Sequence, residues 1–328
     1  MEKMEIGKSG VVASSLSFGT FGIGGGTAWA DTAGDEKRYI DLIHAAHDMG
    51  IDFFDTAPVY GTGNGEEILG RAIAGRRADY VIGTKCSLHW RGGQGTHEYM
   101  RDGHDVRRCF EPASLRADLE DSLRRLGTDY IDVYICHRQP PVEEVAGIMD
   151  TLLSFKKEGK IRAIGISNGS PEHLAGYLQV GQVDLVQEQL SLLTRGRLTG
   201  YVPLCEKNGV TFQTYKALEE GALTGKIAAD FVPAPGDVRN GVKWFRPEYY
   251  PRVCRMLERF EPLCEKYGCS KAVLALAWLR AQSGCINLLV GSRRAETLRD
   301  TVQVLDIKLS AQDCAFMQAQ AQAEALGA

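Results

Sequence analysis

Short apolar runs alternate along the chain with longer stretches in which hydrophobic residues recur every three or four positions. The first pattern is typical of strands buried on both faces of a parallel sheet, and the second is typical of helices with one buried face. The predicted strands are residues 16–19, 52–55, 80–84, 131–135, 163–166, 185–187, 211–214 and 288–290. The clearest predicted helices are residues 37–49, 65–75, 112–126, 142–158, 171–180, 200–208 and 270–282.

Eight strand–helix units without an internal linker predict an α/β fold, in which a parallel sheet closes into a (β/α)8 TIM barrel. We expect a single domain over residues 1–328, with extra helices, and a short N-terminal β-hairpin at 4–13 that covers the amino end of the barrel. Three segments show neither the strand pattern nor the helix pattern and are predicted to be long loops, which in a compact domain are usually functional. They are 86–111, 226–247 and the stretch around Trp29.

Composition narrows the classes of function. The formal net charge is −4, so there is no electrostatic reason to expect a nucleic acid or an anionic membrane as partner. The nine cysteines are odd in number and scattered without a Cys-x-x-Cys pair, which predicts reduced thiols. No apolar run reaches the length of a membrane span, and the first residues lack the apolar stretch of a signal peptide. The expected location is therefore the cytoplasm.

Four chemically active side chains lie at or just beyond the ends of predicted strands: Asp55, Tyr60, Lys85 and His137. Because the carboxyl ends of parallel barrel strands share one face, we expect the four to converge. A lysine held by an aspartate lowers the pKa of a neighbouring phenol, which makes tyrosine a usable proton donor for carbonyl reduction or alcohol oxidation. Taken alone, Tyr60 would be read as a packing aromatic and His137 as a core histidine.

The sequence gives no support for a metal site. His44 and His47 lie three residues apart on a predicted helix without nearby carboxylates or cysteines, and Cys264 and Cys269 lack the spacing of zinc or cluster ligands. Metal-dependent barrel hydrolases need several histidines at strand ends, where only His137 qualifies.

Several motifs, in order along the chain, resemble those of the aldo-keto reductases over nearly its whole length. They are Phe54-Asp55-Thr56-Ala57, Tyr60-Gly61, Glu66-Glu67-Ile68-Leu69-Gly70, Leu126-Gly127-Thr128-Asp129-Tyr130-Ile131-Asp132 with His137, Gly-Lys-Ile-Arg-Ala-Ile-Gly-Ile-Ser-Asn (159–168), Gly221, Leu223-Thr224-Gly225-Lys226 and Gly291-Ser292-Arg293-Arg294. The long 226–247 segment is most similar to bacterial reductases of sugar and inositol catabolism and to potassium-channel β subunits.

The resemblance implies a barrel that binds a nicotinamide dinucleotide without a Rossmann domain, and no Gly-x-Gly-x-x-Gly follows the first strand. It assigns Ser167, Asn168 and Gln187 to the nicotinamide carboxamide, which needs both donors and acceptors. Asn168 with Gly169 is also a common turn pair. Tyr215 matches the aromatic residue that stacks beneath the nicotinamide ring.

The remainder of the cofactor site is also implied by the resemblance. It comprises Lys216, Leu218, Gly221 and Lys226 after the seventh strand, and Gly291, Ser292, Arg293, Thr297 and Asp300 at the adenosine end. Lys216-Ala217 stands where Ser-Pro is usual, and Thr297, Asp300 and Thr301 depart from the usual residues. Ser292 and Arg293 at a helix start favour a 2′-phosphate. NADP(H) is therefore the preferred cofactor and NAD(H) the alternative, although an arginine pair there can also be solvated surface.

Trp29, His89 and Trp90 are the candidates for the substrate pocket wall. A few aromatic residues among polar groups suit a sugar, a polyol or another small polar carbonyl compound. Two alternatives stay open: a nucleotide-sensing partner of another protein, and an enzyme that keeps NAD(P) bound and performs a redox-neutral epimerisation or bond cleavage. The sequence leaves the oligomeric state open.

Overall fold

A computed structural model describes residues 1–25 and 36–326. The strands are, in chain order, β1 (Lys3–Glu5), β2 (Val12–Ser14), β3 (Leu16–Gly19), β4 (Phe53–Asp55), β5 (Val81–Cys86), β6 (Leu88–His89), β7 (Thr96–Arg101), β8 (His104–Arg108), β9 (Ile131–Cys136), β10 (Ile161–Ser167), β11 (Leu185–Gln189), β12 (Thr211–Tyr215) and β13 (Ile286–Val290). The helices are α1 (Glu36–Asp48), α2 (Asn64–Ile73), α3 (Pro112–Leu126), α4 (Val145–Lys157), α5 (Pro171–Leu178), α6 (Tyr201–Asn208), α7 (Tyr250–Glu258), α8 (Glu261–Tyr267), α9 (Lys271–Arg280), α10 (Ala295–Val302) and α11 (Ala311–Ala323).

Eight strands close into a parallel barrel in the order β3-β4-β5-β9-β10-β11-β12-β13, which confirms the predicted (β/α)8 architecture. Helices follow the barrel strands, and α7, α8 and α11 are additional to one helix per strand. None of the helices within the two described ranges is long and apolar enough to cross a membrane.

Strand β9 shows why the barrel strands are apolar runs. All six of its residues are buried. Val133 and Ile135 pack with Phe53, Ala163 and Leu185 in one core, while alternate residues of the strand pack in a second core. A strand between two apolar layers has no polar face, so the sequence is a hydrophobic run rather than an alternation, interrupted in β9 only by Asp132, which pairs with Arg77 and Arg162.

The predicted N-terminal hairpin is present as β1 and β2, which pair antiparallel. Ile6, Val11 and Ala13 belong to the same core as Phe53 and Val133 of the barrel strands. The backbone of Gly7 also donates to Thr211 Oγ1 at 2.9 Å, at the start of β12. The hairpin therefore covers the amino end of the barrel and leaves the carboxyl end for chemistry.

The prediction of a long loop at 86–111 is wrong. Strands β6, β8 and β7 form a small antiparallel sheet in this segment. Asp102 and Gly103 connect β7 to β8 with positive φ values of 49° and 78°, as a two-residue type I′ turn requires. Most residues of β7 and β8 are polar and at least partly exposed, so they lack the hydrophobic pattern that identified the barrel strands.

Candidate active site

Three neighbouring barrel strands bring the predicted acid–base residues together. Asp55 is the last residue of β4, Lys85 is the penultimate residue of β5, and His137 follows β9 directly. β5 pairs with β4 on one side and with β9 on the other. The side chains therefore meet at the carboxyl end of the barrel, as the sequence predicted.

Lys85 is fully buried and holds the centre of the cluster. Its Nζ lies 2.8 Å from both carboxylate oxygens of Asp55, 2.8 Å from the Thr56 carbonyl oxygen and 3.2 Å from the Tyr60 hydroxyl. Burial lowers the pKa of Lys85, but attraction to Asp55 and Tyr60 outweighs it, and the pKa lies above its usual value. The site therefore holds a charged ammonium beside the phenol.

Tyr60 lies in the turn after β4, and its ring makes an edge contact with Phe21 at 5.1 Å between centroids. The pKa of Tyr60 is raised, because burial disfavours the phenolate more than Lys85 favours it. The sequence correctly predicted that Lys85 lowers this pKa, but the expectation of a net decrease is wrong. Tyr60 is thus a protonated donor at neutral pH.

His137 is an uncharged imidazole at neutral pH. Burial lowers its pKa well below the usual value, and the positive charges of Lys85, Arg138 and Arg101 add to the effect. Its ring lies edge-on to Tyr60 at 6.3 Å between centroids. Within residues 1–25 and 36–326, no group hydrogen-bonds to the buried His137 Nδ1.

Asp55 is anchored from inside the barrel by a ladder of polar side chains. Gln187 Nε2 donates to Asp55 Oδ1 at 2.7 Å and to Gln213 Oε1 at 2.6 Å. Gln213 Nε2 in turn donates to Ser17 Oγ and Asn287 Oδ1. Both amide hydrogens of Gln187 are therefore used, which leaves its carbonyl oxygen as the group that could accept from a carboxamide.

Asn168 and Tyr215 are hydrogen-bonded to each other at the carboxyl ends of β10 and β12. Asn168 Nδ2 donates to the His137 carbonyl oxygen at 2.9 Å, and the Tyr215 hydroxyl donates to Asn168 Oδ1 at 2.7 Å. Asn168 adopts a positive φ of 57°, which asparagine tolerates better than most residues. Ser167 is buried beside it and accepts from Asn168 Nδ2 at 3.1 Å.

The segment after β12 is conformationally unusual. Lys216, Glu219 and Glu220 all have positive φ values, of 52°, 49° and 53°, and Gly221 follows at 99°. Such strain in non-glycine residues persists only where surrounding contacts enforce it, and it is common at ligand sites. Buried Glu219 accepts hydrogen bonds from Ser191, Thr194 and Gln189. Among the predicted cofactor residues here, Lys216 and Lys226 are exposed and Leu218 is half-buried.

The predicted adenosine segment surrounds the start of α10. The Ser292 hydroxyl bonds within its own turn, donating to the Arg294 carbonyl oxygen at 2.8 Å. The Arg293 carbonyl oxygen accepts from Arg38 at 2.9 Å. Asp300 accepts from Ser270 Oγ at 2.9 Å and lies 4.0 Å from Lys226. Gly291, Arg293 and Thr297 are exposed.

Two of the three candidate pocket-wall residues lie on or directly after β6. His89 is buried on β6, and burial, together with Arg91 and Arg107, lowers its pKa. Trp90 packs with Tyr60 and Tyr99 against a small apolar cluster. Trp29 lies outside the described residues. A substrate role for the three stays a prediction.

A cavity of about 530 Å³ opens beside Asn168 and Tyr215. Its wall includes Glu188 and Arg197, which the sequence analysis did not single out. Glu188 is buried, accepts from the Gly169 backbone N–H at 2.5 Å and pairs with Arg197 at 3.1 Å. Burial raises the pKa of Glu188 to about 7. Glutamate and glutamine within barrel strands, whose side chains are buried, were the signal that could have found both Glu188 and Gln213.

Known proteins are similar to this chain in sequence and in fold. The Aldo/keto reductase family matches residues 15–321. The chain is 39% identical over 330 residues to the NADH-specific methylglyoxal reductase of Escherichia coli strain K12, covering 98% of this chain and 99% of that protein. It is 30% identical over 324 residues to a probable voltage-gated potassium channel subunit beta of Oryza sativa subsp. japonica, covering 94% and 92%.

The fold comparison agrees with these sequence matches. The structure of a glycerol dehydrogenase from Gluconobacter oxydans superimposes with a TM-score of 0.88 at 31% identity, covering 98% of this chain and 95% of that one.

Proposed function

Because the chain belongs to the aldo/keto reductase family, whose members are oxidoreductases that use nicotinamide cofactors, we propose that Tyr60 is its general acid in carbonyl reduction and its general base in alcohol oxidation. The observation that carries this proposal is the 3.2 Å contact between Lys85 Nζ and the Tyr60 hydroxyl. Lys85 is held in place for that contact by both oxygens of Asp55.

The proton chemistry follows from this contact. Tyr60 stays protonated at neutral pH because burial raises its pKa, so it can donate to the oxygen of a carbonyl that is becoming an alkoxide. The Lys85 ammonium stabilises the phenolate that remains. The neutral His137 ring offers one N–H donor and orients the carbonyl oxygen without competing as an acid.

The residues around Asn168 fit a nicotinamide dinucleotide, which when bound supplies or accepts the hydride. The Gln187 carbonyl oxygen can accept and the Ser167 hydroxyl can donate, which are the two kinds of group that a carboxamide requires. Both Nδ2 hydrogens of Asn168 already bond to His137 and Ser167, so Asn168 contributes only the second acceptor position of its Oδ1. Tyr215 is available as a flat surface beside the cavity. The strained segment 216–221 and the exposed start of α10 would hold the phosphates and the adenosine.

The choice between cofactors rests on a small set of exposed groups. Arg293 beside a helix start supports NADP(H), because guanidinium forms charge-assisted bonds with phosphate. Two observations speak against a dedicated 2′-phosphate site. The Ser292 hydroxyl already bonds within its turn. The pKa of Asp237 is lowered chiefly by its hydrogen bond with Arg239 and to a smaller extent by the charge of Arg293, so a carboxylate lies within electrostatic reach of Arg293. One relative is named as NADH-specific. We infer that the chain uses both NADP(H) and NAD(H), and that Arg293 sets the ratio.

The substrate proposal is a small polar carbonyl compound, a sugar or a polyol. Two relatives support it by their names, a methylglyoxal reductase and a glycerol dehydrogenase. The test is a panel of small aldehydes, ketones and sugars with NADPH and with NADH, followed by the absorbance of the reduced nicotinamide. Turnover of several members supports the proposal.

Two other outcomes would overturn it. Tight cofactor binding without turnover would indicate a nucleotide-sensing protein. Conversion of a sugar without added cofactor, by protein purified with its dinucleotide, would indicate a redox-neutral epimerase or lyase.

A further inference from the structure

The β7–β8 hairpin places a guanidinium close to the proposed acid–base centre. Arg101 is the last residue of β7, immediately before the Asp102–Gly103 turn, and it is half-buried. Its Cζ lies 4.9 Å from the centre of the Tyr99 ring and 5.9 Å from the centre of the Phe21 ring. Phe21 is the residue whose ring contacts Tyr60 at 5.1 Å.

A second path connects the hairpin to the site. Tyr99 and Tyr60 pack against the same apolar cluster, formed by Ala57, Val59, Leu88 and Val106. The positive charges of Arg101 and Arg138 also contribute to the lowered pKa of His137, after burial and Lys85. The guanidinium of Arg101 is therefore within electrostatic reach of the residues proposed to bind the carbonyl group.

Among the residues that the structure describes, Arg101 differs from the other arginines of its hairpin in having no acidic partner. Arg107 pairs with Asp105 at 2.7 Å, and Arg108 lies 3.6 Å from Glu98. No carboxylate or carbonyl oxygen in residues 1–25 and 36–326 forms an ion pair or hydrogen bond with Arg101, whose guanidinium lies over two aromatic rings. A half-buried cation without an anion is electrostatically incomplete, and a bound anion would complete it.

Two carboxylates described near the site are already paired with other cations. Glu98 is shared between Arg138 and Arg108, so one carboxylate serves two guanidinium groups. Asp55 is already committed to Lys85. Neither carboxylate therefore neutralises Arg101, whose charge reaches His137, and such a charge attracts and orients anions.

We propose that Arg101 binds an anionic substituent of the substrate, so that the preferred substrates are carbonyl compounds or alcohols bearing a carboxylate or a phosphate. This inference rests on the proposed function, because it assigns Arg101 to the same substrate site. Guanidinium recognises both anions through paired N–H donors, so the shared chemistry is an oxyanion held beyond the reacting carbonyl.

The test compares matched pairs that differ only in the anion: 4-formylbenzoate with benzaldehyde, and glyceraldehyde 3-phosphate with glyceraldehyde. In the wild type, kcat/KM should favour the anionic member of at least one pair by about tenfold to a hundredfold, as a charged hydrogen bond allows. Arg101→Gln should abolish most of that ratio, and Arg101→Lys should restore part of it. The pair that responds identifies the anion as carboxylate or phosphate.

Arg107→Gln is the matched control on the same hairpin, because it removes a charge that is already paired. It should leave the anionic-to-neutral ratio unchanged. An equal fall of the ratio in both variants, or a wild type that reduces both members of each pair equally well, would overturn the inference while leaving the reductase proposal intact.

Calorimetric titration of the same four compounds, with oxidised cofactor present, separates the two proposals. If none of the aldehydes is reduced but an anionic member binds more tightly in an Arg101-dependent way, the reductase proposal fails and the anion site stands. If no compound is reduced and the anionic members bind no more tightly than the neutral ones, both proposals fail.

Discussion

The interior of the barrel and its rim hold their functional residues in opposite ways. Inside, Asp55, Lys85 and Gln187 are buried, and each makes at least two hydrogen bonds to other side chains. At the rim, Arg293 and Thr297 are exposed, and Ser292 bonds to its own turn. The groups proposed for proton transfer are therefore built into the barrel, whereas those proposed for cofactor selection are a few exposed side chains that can change at little cost to the fold.

The buried charges of Asp55 and Lys85 require the polar side chains around them, because moving a charge out of water costs free energy. A buried ion pair is only tolerated when its remaining donors and acceptors are also satisfied. The Lys85 ammonium has three hydrogens, and Asp55 and the Thr56 carbonyl oxygen satisfy them before Tyr60 is counted. Removing an interior group should therefore affect both stability and activity, and removing a rim group should affect only ligand binding.

Lys85→Met should give the largest loss. It leaves the Asp55 carboxylate buried without its cation, which typically costs about 3–5 kcal/mol of folding free energy. Turnover should fall by at least the ~10²–10⁴-fold of a lost general acid. Without the positive charge the pKa of Tyr60 rises further, so residual alcohol oxidation should require more alkaline pH. Denaturant unfolding and pH–rate profiles measure both effects.

The double variant Asp55→Asn/Lys85→Met is the control for this prediction. With neither charge buried, it should recover much of the stability and none of the activity. A single Lys85→Met variant with a normal rate and an unchanged pH profile would contradict the coupling between Lys85 and Tyr60.

Tyr60→Phe should separate activity from stability. The variant keeps the three other hydrogen bonds of Lys85, so the unfolding temperature should change little, and cofactor affinity should be retained. Turnover should fall by ~10²–10⁴-fold. In the wild type the pKa of Tyr60 is raised, so the rate of carbonyl reduction should stay constant through neutral pH. It should fall only as the pH rises through that pKa, while the rate of alcohol oxidation increases. Retention of more than half of the wild-type rate would remove Tyr60 from the mechanism.

The interior was also easier to predict from the sequence than the rim. Barrel strands buried on both faces leave apolar runs, and Asp55, Lys85 and His137 stand out at the ends of such runs. The β7–β8 hairpin was missed because its polar residues follow no hydrophobic pattern, although Asp102-Gly103 is a strong turn signal.

Two features of the site depended on tertiary structure. The pairing of Gln187 with Gln213 required the register of β11 and β12, in which the two residues are directly opposite. The sign of the Tyr60 pKa shift required the degree of burial, which is decided by packing from distant segments such as Phe21.

Arg293→Ala should show the opposite signature to the interior variants. We expect NADPH to bind about tenfold to a hundredfold more weakly, since a charged hydrogen bond to the 2′-phosphate is lost, while NADH affinity and the unfolding temperature stay nearly unchanged. Dissociation constants for both cofactors at one salt concentration test this. Arg299→Ala, within the helix α10 that follows Arg293, is a control for general loss of positive charge. Equal losses for NADPH and NADH would remove Arg293 from 2′-phosphate recognition.

Glu188→Gln should give the smallest effect, at the boundary between interior and rim. Burial raises the pKa of Glu188 to about 7, so the carboxyl group is neutral below this pH and becomes a carboxylate above it. A new negative charge in the wall of the proposed cofactor cavity opposes an anionic dinucleotide by about 1 kcal/mol, or roughly fivefold in affinity.

The affinity of the wild type for the cofactor should therefore decrease as the pH rises through about 7, and Glu188→Gln should remove this decrease. NADH is the appropriate probe because it lacks a titrating 2′-phosphate. Arg197→Gln removes the cation that lowers the pKa of Glu188, so the decrease in affinity should move to higher pH. The same pH dependence in the wild type and in Glu188→Gln would show that this carboxyl group, although buried like the barrel interior, does not act on the cofactor at the rim.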